Sequence, residues 1–465
     1  MARNGFHQSF VGIKDPLDET FSLHPEFVSK VVGALDDDDR ASIIRLVAEL
    51  HYADMADLLE HLEPLDRARL VENMRDNFNS DVLPELDEAV RDDVMDALGY
   101  EDFAAAVIEL DSDDALDVVG KLDLMERNQI LDRLPESYRK LLQHGLEFQD
   151  ETAGRLMQRE LAIVPDYWTV GETLDYLRTA KDLPADFYVI FVVDPRHRPI
   201  GMVELSRLVC SHRPVNMRDI VNLGMEAIST DMDREDVANL FRKRDLVSQP
   251  VVDLSGRLVG QITIDDVVDV IDEEAEEDIL KLAGLKDTNL YDAVLETVRS
   301  RFSWLAFNLF TAVLASIVIG WFQPAIEKIV ALAVLMPIVA SMGGNAGTQT
   351  LTAAVRSLAT KELDRSNAPR ILGKEVLAGV VNGLLFAFCA SLIAWIWFQD
   401  VGLGVIIGAA MVVNLIAAGL FGIAIPLILD RINIDPAAAS SVFLTTITDV
   451  VGFFTFLALA AAFLL

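Results

Sequence analysis

With 73 acidic and 39 basic side chains among 465 residues, the chain carries a formal charge of −34, so no nucleic-acid partner is expected: phosphates require lysine and arginine. Two cysteines, Cys210 and Cys389, exclude a disulfide framework and fit a reducing compartment. All the net charge sits in front: residues 1–300 hold 65 acidic and 31 basic groups, while residues 301–465 hold eight of each between long apolar runs. The front therefore reads as soluble and the rear as membrane.

Residues 1–16 lack the apolar core of a secretory signal, so the front part is expected to stay in the cytoplasm. From 24 to 150 apolar residues recur every three or four positions, as in Ile43, Leu46, Val47 and Leu50, which predicts helices. "HYADMADLLEHLEPLDRARLVENM" is echoed by "DSDDALDVVGKLDLMERNQILDRL", each a helix, a capped turn and a second helix. The pattern predicts an α-superhelical domain.

Residues 151–275 change texture. "FYVIFVVD" and "SQPVVDL" are strand-like, and each is followed by a turn, a strand and a helix, which gives two α/β modules over 151–212 and 213–275. This tandem resembles a pair of CBS (cystathionine β-synthase) modules, and the resemblance implies regulation by a nucleotide or an ion. The Gly-x-x-Thr-x-x-Asp pattern of nucleotide-binding members stands in the second copy as Gly260, Thr263 and Asp266. The first copy has Gly201, Glu204 and Arg207 instead, so at most one ATP site, at Thr263 and Asp266, is implied. A charged connecting helix is expected over 276–302, leading into the first apolar span.

Five spans follow within 303–465, at roughly 303–322, 329–356, 375–398, 402–429 and 437–463, each long enough to cross about 30 Å of hydrocarbon. The 356–374 connection carries Arg356, Lys361, Arg365, Arg370 and Lys374, which places it in the cytoplasm. An odd number of spans then puts the N-terminus inside and Leu465 outside a bacterial-type inner membrane, with lipid as a partner.

Within the last span stands Asp449. A carboxylate at that depth costs about 2.5–3.5 kcal/mol on insertion scales and should face the bundle interior or water. Ser441, Thr445 and Asp449 recur at i, i+4, i+8 and form one polar stripe. A hydrogen bond to a neighbouring helix is the alternative, but apart from Arg356 at the very end of the second span no lysine or arginine lies inside a span to pair with Asp449, which favours a mobile cation. The second span holds "SMGGNAGTQT", whose Asn345 and Gln349 are candidates to line the pathway.

"PIVASMGGNAGTQT" and "DPAAAS...TTITDV" resemble the MgtE family of magnesium channels and transporters, a resemblance that covers most of the chain and extends to the family's domain order. The resemblance implies a homodimer with a pore on its two-fold axis, in which Asp449 coordinates hydrated Mg²⁺. Asp435 matches an acidic residue at the cytoplasmic end of that span, and Ser441 stands where the family commonly has asparagine. Mg²⁺ dehydrates reluctantly, so two symmetry-related carboxylates with retained waters suit it. Residues 265–278 crowd nine acidic groups that repel one another unless cations lie between them. The resemblance implies regulatory Mg²⁺ at Asp233, Glu235, Asp245, Asp266, Asp269, Glu274, Glu277 and Asp278, closing the pore.

The expected fold is therefore multidomain: an N-terminal α-superhelical domain, a tandem α/β CBS pair, a connecting helix and an all-α five-helix transmembrane domain. No enzyme is expected, since no Walker-type motif occurs and all seven histidines lie at or before position 212. Transport of another divalent cation such as Co²⁺ or Mn²⁺, and a membrane-anchored CBS nucleotide sensor, are the alternatives.

Overall fold

Most of the apolar residues that recur at helical spacing in the front of the chain turn inward. Val31, Ile43, Leu58, Leu70, Val94, Phe103, Leu116 and Ile130 come from successive short helices between Pro25 and Gly145 and share one core. The computed structural model describes residues 16–17, 22–180, 183–184, 187–285, 294–364 and 366–465. Residues 1–15, at which no secretory signal is expected, and Arg365 of the basic loop lie outside the described residues. Two compact units divide between Ile271 and Asp272.

The helical part of the first unit is stitched by arginines. Arg67 donates from Nε to the carbonyl of Leu59 at 2.8 Å and from Nη2 to Leu62 at 3.1 Å. Arg91 repeats this on Leu83 at 3.1 Å and Leu86 at 2.7 Å. Arg127 reaches Gly120 and Leu122, and Arg139 reaches Asp132 and Leu134. Each guanidinium takes up carbonyls that lie just before its own helix, which for Arg67, Arg127 and Arg139 are those the end of the preceding helix leaves without partners and for Arg91 those of a turn. Arg67 and Arg127 stand at the same place in the two echoed segments, so the repeat seen in sequence is a repeat of this device.

Helix α1 (Ser112–Lys121) belongs to this part. The α/β part that follows holds two three-stranded sheets. In the first, β1 (Ile163–Pro165) pairs parallel with β2 (Val189–Val193), which pairs antiparallel with β3 (Pro199–Glu204); helix α2 (Val170–Thr179) connects β1 to β2. The second repeats the order with β4 (Ile228–Ser229), α3 (Arg234–Arg244), β5 (Ser248–Val252) and β6 (Leu258–Thr263). This is the tandem expected from the sequence. All five residues of β2 are buried, as a strand covered on both faces requires.

Residues 276–302, expected as one connecting helix, belong to two. Helix α4 (Ile264–Leu282) starts directly after β6 and closes on Gly284 in a left-handed turn at φ 75°, with Leu285 N–H returning to Leu280 at 2.8 Å. Helix α5 (Val294–Trp321) opens after it. The reason is local: glycine at 284 takes the positive φ at no steric cost and ends the helix.

The second unit continues with α6 (Ala331–Ala359), α7 (Ala368–Phe398), α8 (Val401–Arg431) and α9 (Pro436–Phe463). Among the described residues five helices, α5 to α9, are long and apolar enough to cross a membrane. Helix α8 is the hub and packs on α6, α7 and α9. Glycines bring its backbone close to α7: a Cβ on Gly379 would lie 2.6 Å from the Leu415 carbonyl, and one on Gly419 would lie 2.6 Å from that of Glu375. Small residues of this kind let helices approach where no hydrophobic force joins them. Helices α5 and α7 expose Phe302, Leu305, Phe310, Leu385, Phe388 and Trp397, a surface suited to acyl chains.

Candidate functional site

Helix α9 begins on Asp435, whose side chain accepts from Ala437 N–H at 2.8 Å, followed by Pro436 at the first helical position. That pair is a strong helix start. From there Ser441, Thr445 and Asp449 follow one face, as their spacing predicted, and all three are half-buried. Thr445 gives its hydroxyl proton to the carbonyls of Ser441 and Val442, at 3.0 and 3.1 Å. No described residue hydrogen-bonds or pairs with Asp449. A carboxylate in apolar surroundings with no fixed partner needs water or a cation.

Helix α6 packs on α9 and carries a second polar row. Ser341, Asn345, Thr348 and Gln349 are exposed, with Asn345 Nδ2 3.4 Å from Ser341 Oγ. Gln349 also lines a cavity of about 170 Å³ with Thr350 of its own helix and Glu375 and Asn382 of α7.

The acidic residues from sequence are spread over several places. Asp233 caps the start of α3 by accepting from Glu235 N–H at 2.9 Å, and Asp245 ends the same helix at φ 52°. Eleven residues at about 1.5 Å each separate them by about 16 Å, too far to share one ion. Glu235 and Asp269 each have partners of their own. Among the described residues no three histidine, cysteine or acidic side chains are gathered to hold a metal.

Asp266 has company that the sequence did not suggest. Thr263 gives it a hydrogen bond at 2.9 Å, and burial together with Asp265 pushes its carboxyl up to about 7. Asp114, in the first turn of α1, is pushed up to about 7 by burial and by Asp266, and Asp113 is raised by the same two causes. Glu85 is raised by burial and by Asp269. The helical and α/β parts thus meet across mutually repelling carboxylates, beside direct bonds from Ser112 to Glu160 at 2.7 Å and from Gln158 to Asp111 at 2.9 Å. The "SDD" start of α1 was a visible signal, but nothing in sequence says which helix end faces Asp266. Thr263 and Asp266, the pair expected to meet ATP, are hydrogen-bonded to each other, and the carboxylates around them oppose a bare phosphate.

In the second unit Lys281 of α4 lies between Glu277 at 2.5 Å and Asp435 at 2.7 Å. Asp278 is raised by burial and by Asp435. The end of α4 is therefore bound to the first residue of α9, and Leu282 adds to it by packing on the cluster of Leu351, Val355, Leu429 and Leu444.

Residues 336–459 match the family model "MgtE: Divalent cation transporter", residues 50–151 that of the MgtE intracellular N domain, and residues 217–273 the CBS domain. The magnesium transporter MgtE of Thermus thermophilus is 30% identical over 425 residues, covering 87% of this chain and 94% of that protein. The chain belongs to the MgtE family. The Enterococcus faecalis member is 32% identical over 319 residues, 69% of this chain and 70% of its own. That of Bacillus subtilis is 26% identical over 442 residues, 95% and 98%. Two solved structures are also similar: the soluble part of a magnesium transporter (25% identity, TM-score 0.48, 54% of this chain and 98% of that one) and the cytosolic domain of the Mg²⁺ channel MgtE in complex with ATP (28%, 0.48, 52% and 99%). MgtE membership accounts for the order seen here, a helical domain, a CBS pair and five apolar helices.

Proposed function

We propose that the chain is a Mg²⁺-selective, channel-like transporter of the inner membrane, working as a homodimer and shut by Mg²⁺ at its acidic front. The observation that carries this reading is Asp449: a carboxylate within an apolar helix, on a face shared with Ser441 and Thr445, that no described side chain neutralises. A second polar row supports it further. The exposed row Ser341, Asn345, Thr348 on α6 has no place against lipid, and a two-fold partner would turn it and Asp449 toward a common aqueous path. Two carboxylates then supply charge without stripping the ion's waters. The relatives named as magnesium transporters favour Mg²⁺ over Co²⁺ or Mn²⁺. With the front in the cytoplasm, inward flux gains about 2.3 kcal/mol per charge per 100 mV.

Gating follows from the repelling carboxylates. Asp113, Asp114 and Asp266 favour a cation between them, as do Glu274, Glu277, Asp278 and Asp435, and α4 carries any movement to the head of α9 through Lys281. Asp233, Glu235, Asp245 and Asp269 are proposed as regulatory ligands only in combination with a second copy. ATP at Thr263 and Asp266 is proposed as a metal-complexed modulator.

Reconstituted protein tests the reading: Mg²⁺ flux into liposomes, its competition by Co²⁺ and Mn²⁺, and its block by Mg²⁺ on the front-unit side. Flux of Mn²⁺ in preference to Mg²⁺ would replace the substrate, and nucleotide binding without any flux would favour the anchored sensor. Neutralising Glu274, Glu277 and Asp278 together is expected to keep flux and weaken the block.

A further inference from the structure

One side chain in the membrane unit is held by three helices at once. Asn414, midway along α8, has no accessible surface. Its Nδ2 donates to the carbonyl of Val339 on α6 at 2.9 Å, and no described donor reaches its Oδ1. Two glycines make room for it. A Cβ on Gly343 of α6 would stand 2.2 Å from Nδ2, and a Cβ on Gly452 of α9 would stand 2.7 Å from the same atom. Neither separation is tolerated, so any larger residue at either place displaces Asn414 or its helix.

An amide in such a place is costly when leucine of similar volume would fill it, since one acceptor stays without a donor. What the amide provides is direction. Gly452 lies three residues beyond Asp449, and Gly343 two residues before Asn345, so the contact stands next to both polar rows.

We propose that Asn414 is a positioning residue for conduction: wedged between Gly343 and Gly452 and bonded to Val339, it fixes the rotation and register of α9 against α6, and with them the place of the Asp449 carboxylate relative to Asn345. This rests on Asp449 being the pore ligand. A binding constellation loses performance when displaced by about 0.5–1 Å, and a methyl forced into either glycine moves a helix on that scale.

The test uses the full-length protein in liposomes, with Mg²⁺ influx and its competition by Co²⁺ as readouts, together with thermal unfolding in detergent. For Asn414→Leu the half-saturating Mg²⁺ concentration is expected to rise about tenfold and discrimination against Co²⁺ to fall comparably, with maximal flux less affected. Gly452→Ala is expected to lose most of its flux, and adding Asn414→Ala to restore much of it, because the shortened side chain vacates the space the new methyl needs. Parent-like half-saturation and discrimination in Asn414→Leu overturn the proposal. So does a Gly452→Ala defect that Asn414→Ala leaves unchanged, and this pair decides the matter if Asn414→Leu does not fold. Should the parent itself move no Mg²⁺, the transport reading falls separately; additive unfolding shifts for the Gly452/Asn414 pair would still refute the wedge, and non-additive ones uphold it.

Discussion

Arg91 in the front unit and Asp449 in the membrane unit are both charged groups withdrawn from water, and the chain surrounds them in opposite ways. Arg91 is 3% exposed, and its Nε and Nη2 are committed to carbonyls of the turn before its helix. Asp449 is half-buried on an apolar helix and commits to nothing described. The first arrangement turns charge into a permanent staple. The second leaves a demand that only something mobile can meet, which is what a conducting site requires and a structural one avoids.

The comparison breaks most sharply at Asp449. Asp449→Ala is expected to reduce Mg²⁺ influx by about 100-fold or more while leaving the unfolding temperature near that of the parent, since no partner is orphaned. Unchanged influx would remove the pore site. Arg91→Met should do the reverse: a loss of about 3 kcal/mol in stability from two carbonyls left without donors, measured by denaturant unfolding of the full chain, with flux per folded molecule preserved. Between these extremes stand Asp114 and Asp266, raised to about 7. A carboxyl whose folded pKa exceeds its unfolded value binds its proton more tightly when folded, so stability should rise as pH falls from about 8 through 7 and level off near 4, by on the order of 1 kcal/mol per group across the first two units. Mg²⁺ should flatten that profile, and Asp114→Asn should remove part of it. A profile that falls on acidification, or ignores Mg²⁺, would contradict the proposed gate. The smallest effect is expected for Lys281→Gln, a shift of a few-fold, under about 1 kcal/mol, in the Mg²⁺ concentration that half-blocks flux, because its ion pairs are partly exposed.

Much of this was legible in the residues. Five apolar runs, two copies of a strand–helix–strand pattern and a helical texture in front are local periodicities, and they map directly onto elements. The stripe of Ser441, Thr445 and Asp449 was equally plain, because one helix fixes its own spacing. What could not be read were meetings between distant segments. Nothing near Asp266 announces Asp113 or Asp114, some 150 residues earlier in the chain. In sequence Asn414 is one amide in an apolar run; its meaning comes from glycines on two other helices. The break in the connecting segment has a nearer cause: within the charged helical pattern of 271–302, Gly284 is the residue that ends the helix.

Lys281 has a consequence for sensitivity. An ammonium fixed to the chain between Glu277 and Asp435 is a competitor that can never be diluted. In the proposed gate a divalent ion reaching those carboxylates has to evict it, so Lys281 raises the concentration at which the response begins by the few-fold that its partly exposed ion pairs allow.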